Sequence, residues 1–327
     1  MNKNLKVVFM GTPEFSLNVL KGLIENTNVV GVVCQPDKIV GRKRELKAPP
    51  IKELAINNNI PVFQPINIKK DYQDILSLNP DIIITCAYGQ IIPKEVLDYP
   101  KYGCINVHAS LLPKLRGGAP IHHAILDGYK ETGITIMYMD IGMDSGDIIK
   151  QRKIDILESD TYQTIHDKLS IIGSELLLDV LPSILNKTNQ RIKQNKDEVT
   201  YGYNIKREEE LINFNLSIDE VFNKIRGLNP DPGSYCYFNG KTMKVYDAIK
   251  IYDDIYSDME NGTIVKVDKK GIYVKVENGL IKILDIQLEG KKRMLVSSFL
   301  NGNKEELVGN ILNKGVLYEK WKGWNNF

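Results

Sequence analysis

The feature that most narrows what this chain can fold into is a set of apolar runs that do not alternate: "LKVVFM" from Leu5, "VVGVVCQ" from Val29, "DIIITCAYG" from Asp81 and "YGCINVHAS" from Tyr102. A strand with one wet face alternates apolar and polar residues, whereas a strand covered by helices on both faces does not. The first run ends at Gly11 and is followed by "EFSLNVLKGLIE", whose apolar residues recur at helical spacing. Strand, tight turn and helix in that order predict an open, Rossmann-like and mostly parallel α/β sheet. Such sheets bind ligands at the carboxyl ends of their strands.

The sheet pattern does not run to the end of the chain. At 327 residues, 43% hydrophobic and 26% charged, the composition is that of a globular protein with room for two domains. Near Lys187 the texture turns polar and lysine-rich, in "NKTNQRIKQNKDEVTYGYNIKREEE". We read a first domain over 1–188, a linker over 189–206 and a second domain over 207–327. After a helical stretch from Ile218 to Arg226, short alternating runs are separated by glycines, with hairpin signals at Asn239-Gly240 and Asn278-Gly279. About five short strands of this kind predict a small antiparallel OB-like β-barrel.

Several chemistries are excluded. "GTPEFS" supplies one glycine where a dinucleotide fingerprint needs three, and no P-loop pattern occurs. His108 and Ser110 lie two apart, but without a nucleophile elbow they do not make a serine hydrolase. His122 and His123 diverge by about 100 degrees on a helix, so they do not converge on one metal with His108. Cys34, Cys86, Cys104 and Cys236 are scattered with no C-x-x-C pair, which fits a reducing compartment and no metal site. The apolar opening is cut at Gly11, too short for a signal sequence or membrane span, so we expect a cytoplasmic protein with its own amino terminus. A net charge of +2 leaves attraction to a polyanion to local clustering. No heptad pattern demands a partner, and a monomer is expected.

In "NVHASLLPKLRGGAPIHHAILD", Asn106 and His108 share one face of a strand because side chains repeat every second residue. Further on, "GITIMYMDIGMDSGDII" breaks into a loop carrying Asp140, Asp144 and Asp147. A carboxylate there can meet the histidine. Spacing alone leaves His108 open between a structural and a catalytic residue.

"NVHASLLPKLRGGAP" resembles the signature of folate-dependent formyltransferases, and "MDIGMDSGDI" resembles the aspartate loop of the same enzymes. The likeness extends through "VVFMGTPEFS", "CQPDKIVGRKRELKAPPIKELA", "TYGYNIKREEELINF", "IRGLNPDPGSY" and "LEGKKRMLVSSFLNG", nearly the whole chain. Within the family it resembles the members that formylate methionine esterified to initiator tRNA. The resemblance implies 10-formyltetrahydrofolate as formyl donor, no metal, and Asn106, His108 and Asp144 as catalytic residues. It implies a folate site from Ser110, Leu111, Leu112 and Pro113, with Tyr88, Gly89 and Ile91 as a wall. Arg116, with Gly117 and Gly118, would open the path to the acceptor.

Between Lys38 and Lys52, six basic residues stand against Glu45 alone. The resemblance implies that this loop enters the acceptor-stem end of tRNA, with Arg42 as its key contact and Lys43, Arg44 and Lys47 beside it. Lys291, Lys292 and Arg293 on the barrel, and Lys320, Trp321, Lys322 and Trp324 in the tail, offer a second contact. The alternatives are a formyltransferase acting on a nucleotide-linked amino sugar, a formyltetrahydrofolate hydrolase and a degenerate RNA-binding protein. The basic loop and the carboxy-terminal module favour tRNA.

Overall fold

A computed structural model describes residues 3–40, 44–253, 255–302 and 306–315. Arg42, Lys43 and the tail residues Lys320, Trp321, Lys322 and Trp324 lie outside the described residues. Two compact units are present: one runs through Ala124, with Lys130–Leu157 and Thr164–Asn204; the other comprises Ile125–Tyr129, Glu158–Gln163 and the chain from Ile205 onward.

In the first unit, β1 (Lys6–Gly11), α1 (Leu17–Asn26) and β2 (Asn28–Val33) form the expected strand, turn and helix. A short hairpin of β3 (Lys38–Val40) and β4 (Glu45–Lys47) follows, then α2 (Pro50–Asn57), β5 (Val62–Phe63), α3 (Gln73–Leu76) and β6 (Ile82–Cys86). After α4 (Lys94–Leu97) come β7 (Cys104–His108), α5 (Pro120–Leu126), β8 (Glu131–Tyr138), β9 (Ile148–Asp155) and the long α6 (Tyr162–Leu185). The sheet order is β5-β2-β1-β6-β7-β8-β9. It is parallel from β5 to β7 and antiparallel over its last two strands. All residues of β6 and β7 are buried, as their unalternating sequences require. By contrast β9 alternates near its outer end, which suits an edge strand.

The segment expected as a linker is fixed to the first unit up to Asn204. Ile192 exchanges two backbone hydrogen bonds with Ile148, and Thr200 and Gly202 bond the backbone of Arg116. Its polarity reflects one exposed face of a strap and not a free chain. The basic loop also has more order than expected: Lys38 pairs with Lys47 and Val40 with Glu45 in an exposed antiparallel hairpin. At its root the Lys52 ammonium bonds Asp37 at 2.8 Å and Gln64 at 2.8 Å. The Lys52 bond, with a second from Gln64 Nε2 to Asp37 Oδ1 at 2.8 Å, holds the Asp37 carboxyl below the usual carboxylate range.

The second unit contains α7 (Ile218–Gly227), then β10 (Ser234–Phe238), β11 (Lys241–Ile251), β12 (Ile264–Asp268), β13 (Gly271–Val276), β14 (Gly279–Leu288), β15 (Met294–Leu295) and α8 (Val296–Gly302). Ser217 and Glu220 form a capping box at the start of α7. Asn239 and Gly240, both at positive φ, make the two-residue turn between β10 and β11. The antiparallel strands run β10-β11-β14-β13-β12, with β15 on β14.

Among the described residues no strand pairing closes this sheet into the expected barrel. The first and last strands are joined instead by the irregular segment 309–313. Gly309 and Asn310 bond the backbone of Ile264, and Leu312 bonds Gly262. Asn313 exchanges backbone and side-chain bonds with Tyr237, and its amide also donates to the Ile212 carbonyl at 2.8 Å. Bridging by turns and side chains leaves no alternating pattern to read. Asn313→Leu orphans the Tyr237 N–H and the buried Ile212 carbonyl, each worth about 1–3 kcal/mol. We expect the second unit to lose about 2–3 kcal/mol in chemical denaturation; an unchanged midpoint would show that Asn313 does not hold the sheet together.

Candidate active site

Asn106 and His108 project from one face of β7 and are both buried. The Asn106 amide is oriented from behind: the buried Thr85 hydroxyl on β6 donates to its Oδ1 at 2.8 Å. Because a hydroxyl can donate or accept, the nitrogen end of the amide is fixed instead by Asp144, whose carboxylate only accepts. The Asn106 Nδ2 then points at Asp144 Oδ1, 3.3 Å away.

Asp144 reaches this position by an indirect route. Because β8 runs antiparallel to β7, Tyr138 lies opposite Ile105, toward the wrong end of the strand. The loop 139–147 must double back, with Tyr138 N–H bonding the Asp147 carbonyl. A Cβ on Gly146 would fall 2.0 Å from the Tyr138 carbonyl oxygen, so only glycine allows this return. Asp144 itself sits in the left-handed region at φ 46°.

The Asp144 carboxylate meets three groups. Besides Asn106, its Oδ2 accepts the Gly117 backbone N–H at 2.8 Å and lies 3.7 Å from His108 Nδ1. The second distance is too long for a direct hydrogen bond. His108 Nε2 is 3.0 Å from the Leu115 carbonyl, which can only accept, so Nε2 carries hydrogen. Nδ1 is therefore the ring nitrogen left for chemistry. The loop carboxylate does stand beside the histidine, but the orientation of His108 is set chiefly by the Leu115 carbonyl.

The turn after β7 differs from its expected role in detail. The Ser110 hydroxyl is buried and donates to the Lys114 carbonyl at 2.6 Å. Leu112 is also buried; its N–H donates to Thr135 Oγ1 and its carbonyl accepts from Gln151. Both residues shape the turn from inside, leaving Leu111 and Pro113 half-buried at its surface. Tyr88 is part of the apolar core with Val8, Met10 and Ile83, and burial pushes its hydroxyl pKa up. Gly89 and Ile91 are exposed after β6, beside Ala87 and Gly89 at positive φ.

Four partners in this site carried no signal in the sequence: Thr85, the Leu115 carbonyl, the Gly117 N–H and Gln194, whose Nε2 donates to the Asp144 carbonyl. Neighbouring thiols do not add a nucleophile. Cys86 and Cys104 are buried, and burial raises both thiol pKa values. His123 Nε2 contacts the Tyr203 carbonyl at 3.0 Å, well apart from the His108 cluster in its bonding. Among the described residues no group of three or more His, Cys, Asp or Glu can hold a metal ion, and no helix is long and apolar enough to cross a membrane.

A formyl transferase family model matches residues 5–181, and a formyl transferase C-terminal domain model matches 204–304. The chain belongs to the formyl transferase family. It is 50% identical to a methionyl-tRNA formyltransferase of Bacillus cereus (strain B4264), over 93% of this chain and 97% of that protein. With a methionyl-tRNA formyltransferase of Bacillus subtilis (strain 168) the identity is 48%, covering 96% and 99%. The formyl transferase fold is shared with a sugar 3N-formyl transferase solved with dTDP and 5-N-formyl-THF, at TM-score 0.63 and 21% identity over 88% of this chain and 99% of that one. A methionyl-tRNA formyltransferase from Clostridium thermocellum matches at TM-score 0.52 and 21% identity, over 84% and 100%.

The Asp144 anchor depends on a residue without a side chain. Gly117 has φ 114°, and a Cβ there would lie 2.9 Å from the Gly202 carbonyl oxygen. Gly118 is a control, because its Cβ would meet only the movable end of Asn204. Gly117→Ala should lower kcat by about a hundredfold by shifting the N–H that holds the carboxylate, whereas Gly118→Ala should stay within about threefold. Equal rates for the two variants in single-turnover assays would remove the Gly117 N–H from the mechanism.

Proposed function

We propose that this formyltransferase moves the formyl group of 10-formyltetrahydrofolate onto the α-amino group of methionine esterified to initiator tRNA, for translation initiation. The reading rests on the Asn106, His108 and Asp144 cluster in a chain so similar to proteins named for that reaction. Solved relatives of the same fold contain folate compounds.

In the reaction the amine nitrogen bonds to the formyl carbon, and the bond from that carbon to the folate nitrogen breaks. Charge grows on the formyl oxygen, one proton leaves the amine and one joins the departing nitrogen. Asn106 spends one N–H on Asp144 and offers the other to the oxyanion. His108 Nδ1, which has a lone pair while Nε2 holds its hydrogen, shuttles the proton, accepting it first and only then donating it to the same oxygen or to the departing nitrogen. Asp144, directly or through water, takes the proton from the attacking amine. Loss of one oxyanion donor costs about 3 kcal/mol, and acid–base help is worth roughly 10²- to 10⁴-fold.

The folate site lies along Gly89, Ile91, Leu111 and Pro113, which present exposed backbone and apolar surface to a flat heterocycle. Tyr88, Ser110 and Leu112 support that surface from behind. Arg42, Lys43, Arg44 and Lys47 contact the tRNA, and the basic sequence together with the exposure of Arg44 and Lys47 favours tRNA over an amino-sugar nucleotide as acceptor. The protein acts as a monomer in the cytoplasm, without metal.

The decisive assay is mass spectrometry of amino acids released from charged bacterial tRNA after incubation with the protein and 10-formyltetrahydrofolate. N-formylmethionine, absent with His108→Ala, supports donor, acceptor and reaction together; deformylation of folate without it would redirect the acceptor to amino-sugar nucleotides or water. Asn106→Ala and Asp144→Ala should each lower kcat by at least about a hundredfold. Arg42→Ala and Arg44→Ala should weaken tRNA use and its salt dependence, whose slope on duplex is about −0.9 per neutralised phosphate. An unchanged salt slope would make the hairpin ordinary surface.

A further inference from the structure

We propose that Gln194, in the strap that follows α6, is a positioning residue for the catalytic centre, acting through Asp144 without touching substrate. Its neighbours from Arg191 to Lys193 and Asn195 to Glu198 are exposed, while Gln194 is turned inward. Its Nε2 donates to the Asp144 and Gly146 carbonyls, both at 2.8 Å. Its Oε1 accepts from Arg116 Nε at 3.1 Å and Nη2 at 2.7 Å. One carboxamide therefore fills both donor positions with pure acceptors and its oxygen with pure donors, so the amide cannot turn over.

These four bonds span the two sides of the contact that aims the catalytic carboxylate. On one side is the loop in which Asp144 holds its left-handed backbone, a conformation that persists only where its surroundings over-determine it. On the other is Arg116, the residue before Gly117, whose N–H bonds Asp144 Oδ2. Gln194 ties the backbone of the first to the side chain of the second. The strap is itself fixed at both ends, by the Ile148–Ile192 bridge before Gln194 and by the bonds of Arg116 with Thr200 and Gly202 after it. Arg191 adds a bond to Asp147 and stacks over Tyr138. Gln194 is thus held by the fold and holds the site.

The inference rests on the formyl-transfer reading above, and its test separates the two. Gln194→Met keeps length and volume but makes none of the four bonds. Gln194→Glu keeps an acceptor for Arg116 and sets an oxygen against the two carbonyls, breaking only the Asp144 side. Both variants of the full-length protein should lose kcat by roughly ten- to a hundredfold, with KM for charged tRNA and for 10-formyltetrahydrofolate each within about threefold and the folded fraction unchanged by circular dichroism. In an Asp144→Ala background neither substitution should lower kcat further, because the group they position is gone.

Wild-type kcat in both variants would overturn the proposal, as would an undiminished additional loss in the Asp144→Ala background. So would a loss that disappears once rates are scaled to folded protein, since that is a purely structural role. Wild-type protein that formylates nothing would instead refute the formyl-transfer reading.

Discussion

The hydrogen bond from the Gly117 backbone to the Asp144 carboxylate is the contact on which the arrangement of the site depends. A hydrogen bond to an ionised oxygen is short and about twice as strong as a neutral one, but only where both partners are held in place. Here the donor is placed by a turn at positive φ packed against Gly202. The acceptor is placed by a left-handed loop residue clamped through its own carbonyl. With Oδ2 so fixed, Oδ1 faces the Asn106 amide and the carboxylate stands beside His108 Nδ1. Displacing either anchor therefore changes all three relations at once.

Strand direction explains why so much local structure is needed. Had β8 run parallel to β7, its following loop would have emerged at the carboxyl end beside His108. It runs antiparallel, and its carboxyl end lies by Ile105. The return of loop 139–147 exposes Ile141 and Met143 and uses a glycine at a position with no room for Cβ. The carboxylate is thereby set on the same face as Asn106 and His108, at the expense of ordinary backbone geometry.

How much of this was legible in the sequence follows from the same physics. Unalternating runs announced β1, β2, β6 and β7, because burial on both faces leaves a compositional trace. Period two placed Asn106 and His108 on one face, and the helical stretch from Ile218 to Arg226 matches α7. Asp144 could be singled out among three loop aspartates only through the family resemblance, since loops have no period. Thr85 looked like one more β-branched strand residue. Gln194 stood in a run of polar residues that resembled a linker, and the bonds that distinguish it are all to distant residues. The bridge at Asn313 was hidden for the same reason: a single side chain does there what a strand pairing would have signalled by alternation.

The two kinds of polar residue in the first unit also differ in how they meet solvent, and this divides the proposed function. The groups around Asp144 are half-buried or buried and bonded to one another, so dissolved ions screen them weakly. Lys47 and Arg44 stand exposed on a hairpin whose opposed Lys38 and Lys47 repel each other. Placing like charges opposite one another disfavours the hairpin in isolation, and a polyanion laid along it relieves that repulsion. On the proposed reading, ionic strength therefore acts on the capture of the acceptor, while the chemical step depends on a network that salt scarcely reaches. The Asp37–Lys52–Gln64 contacts at the hairpin root keep the exposed part attached to the rigid sheet without drawing its charges into the site.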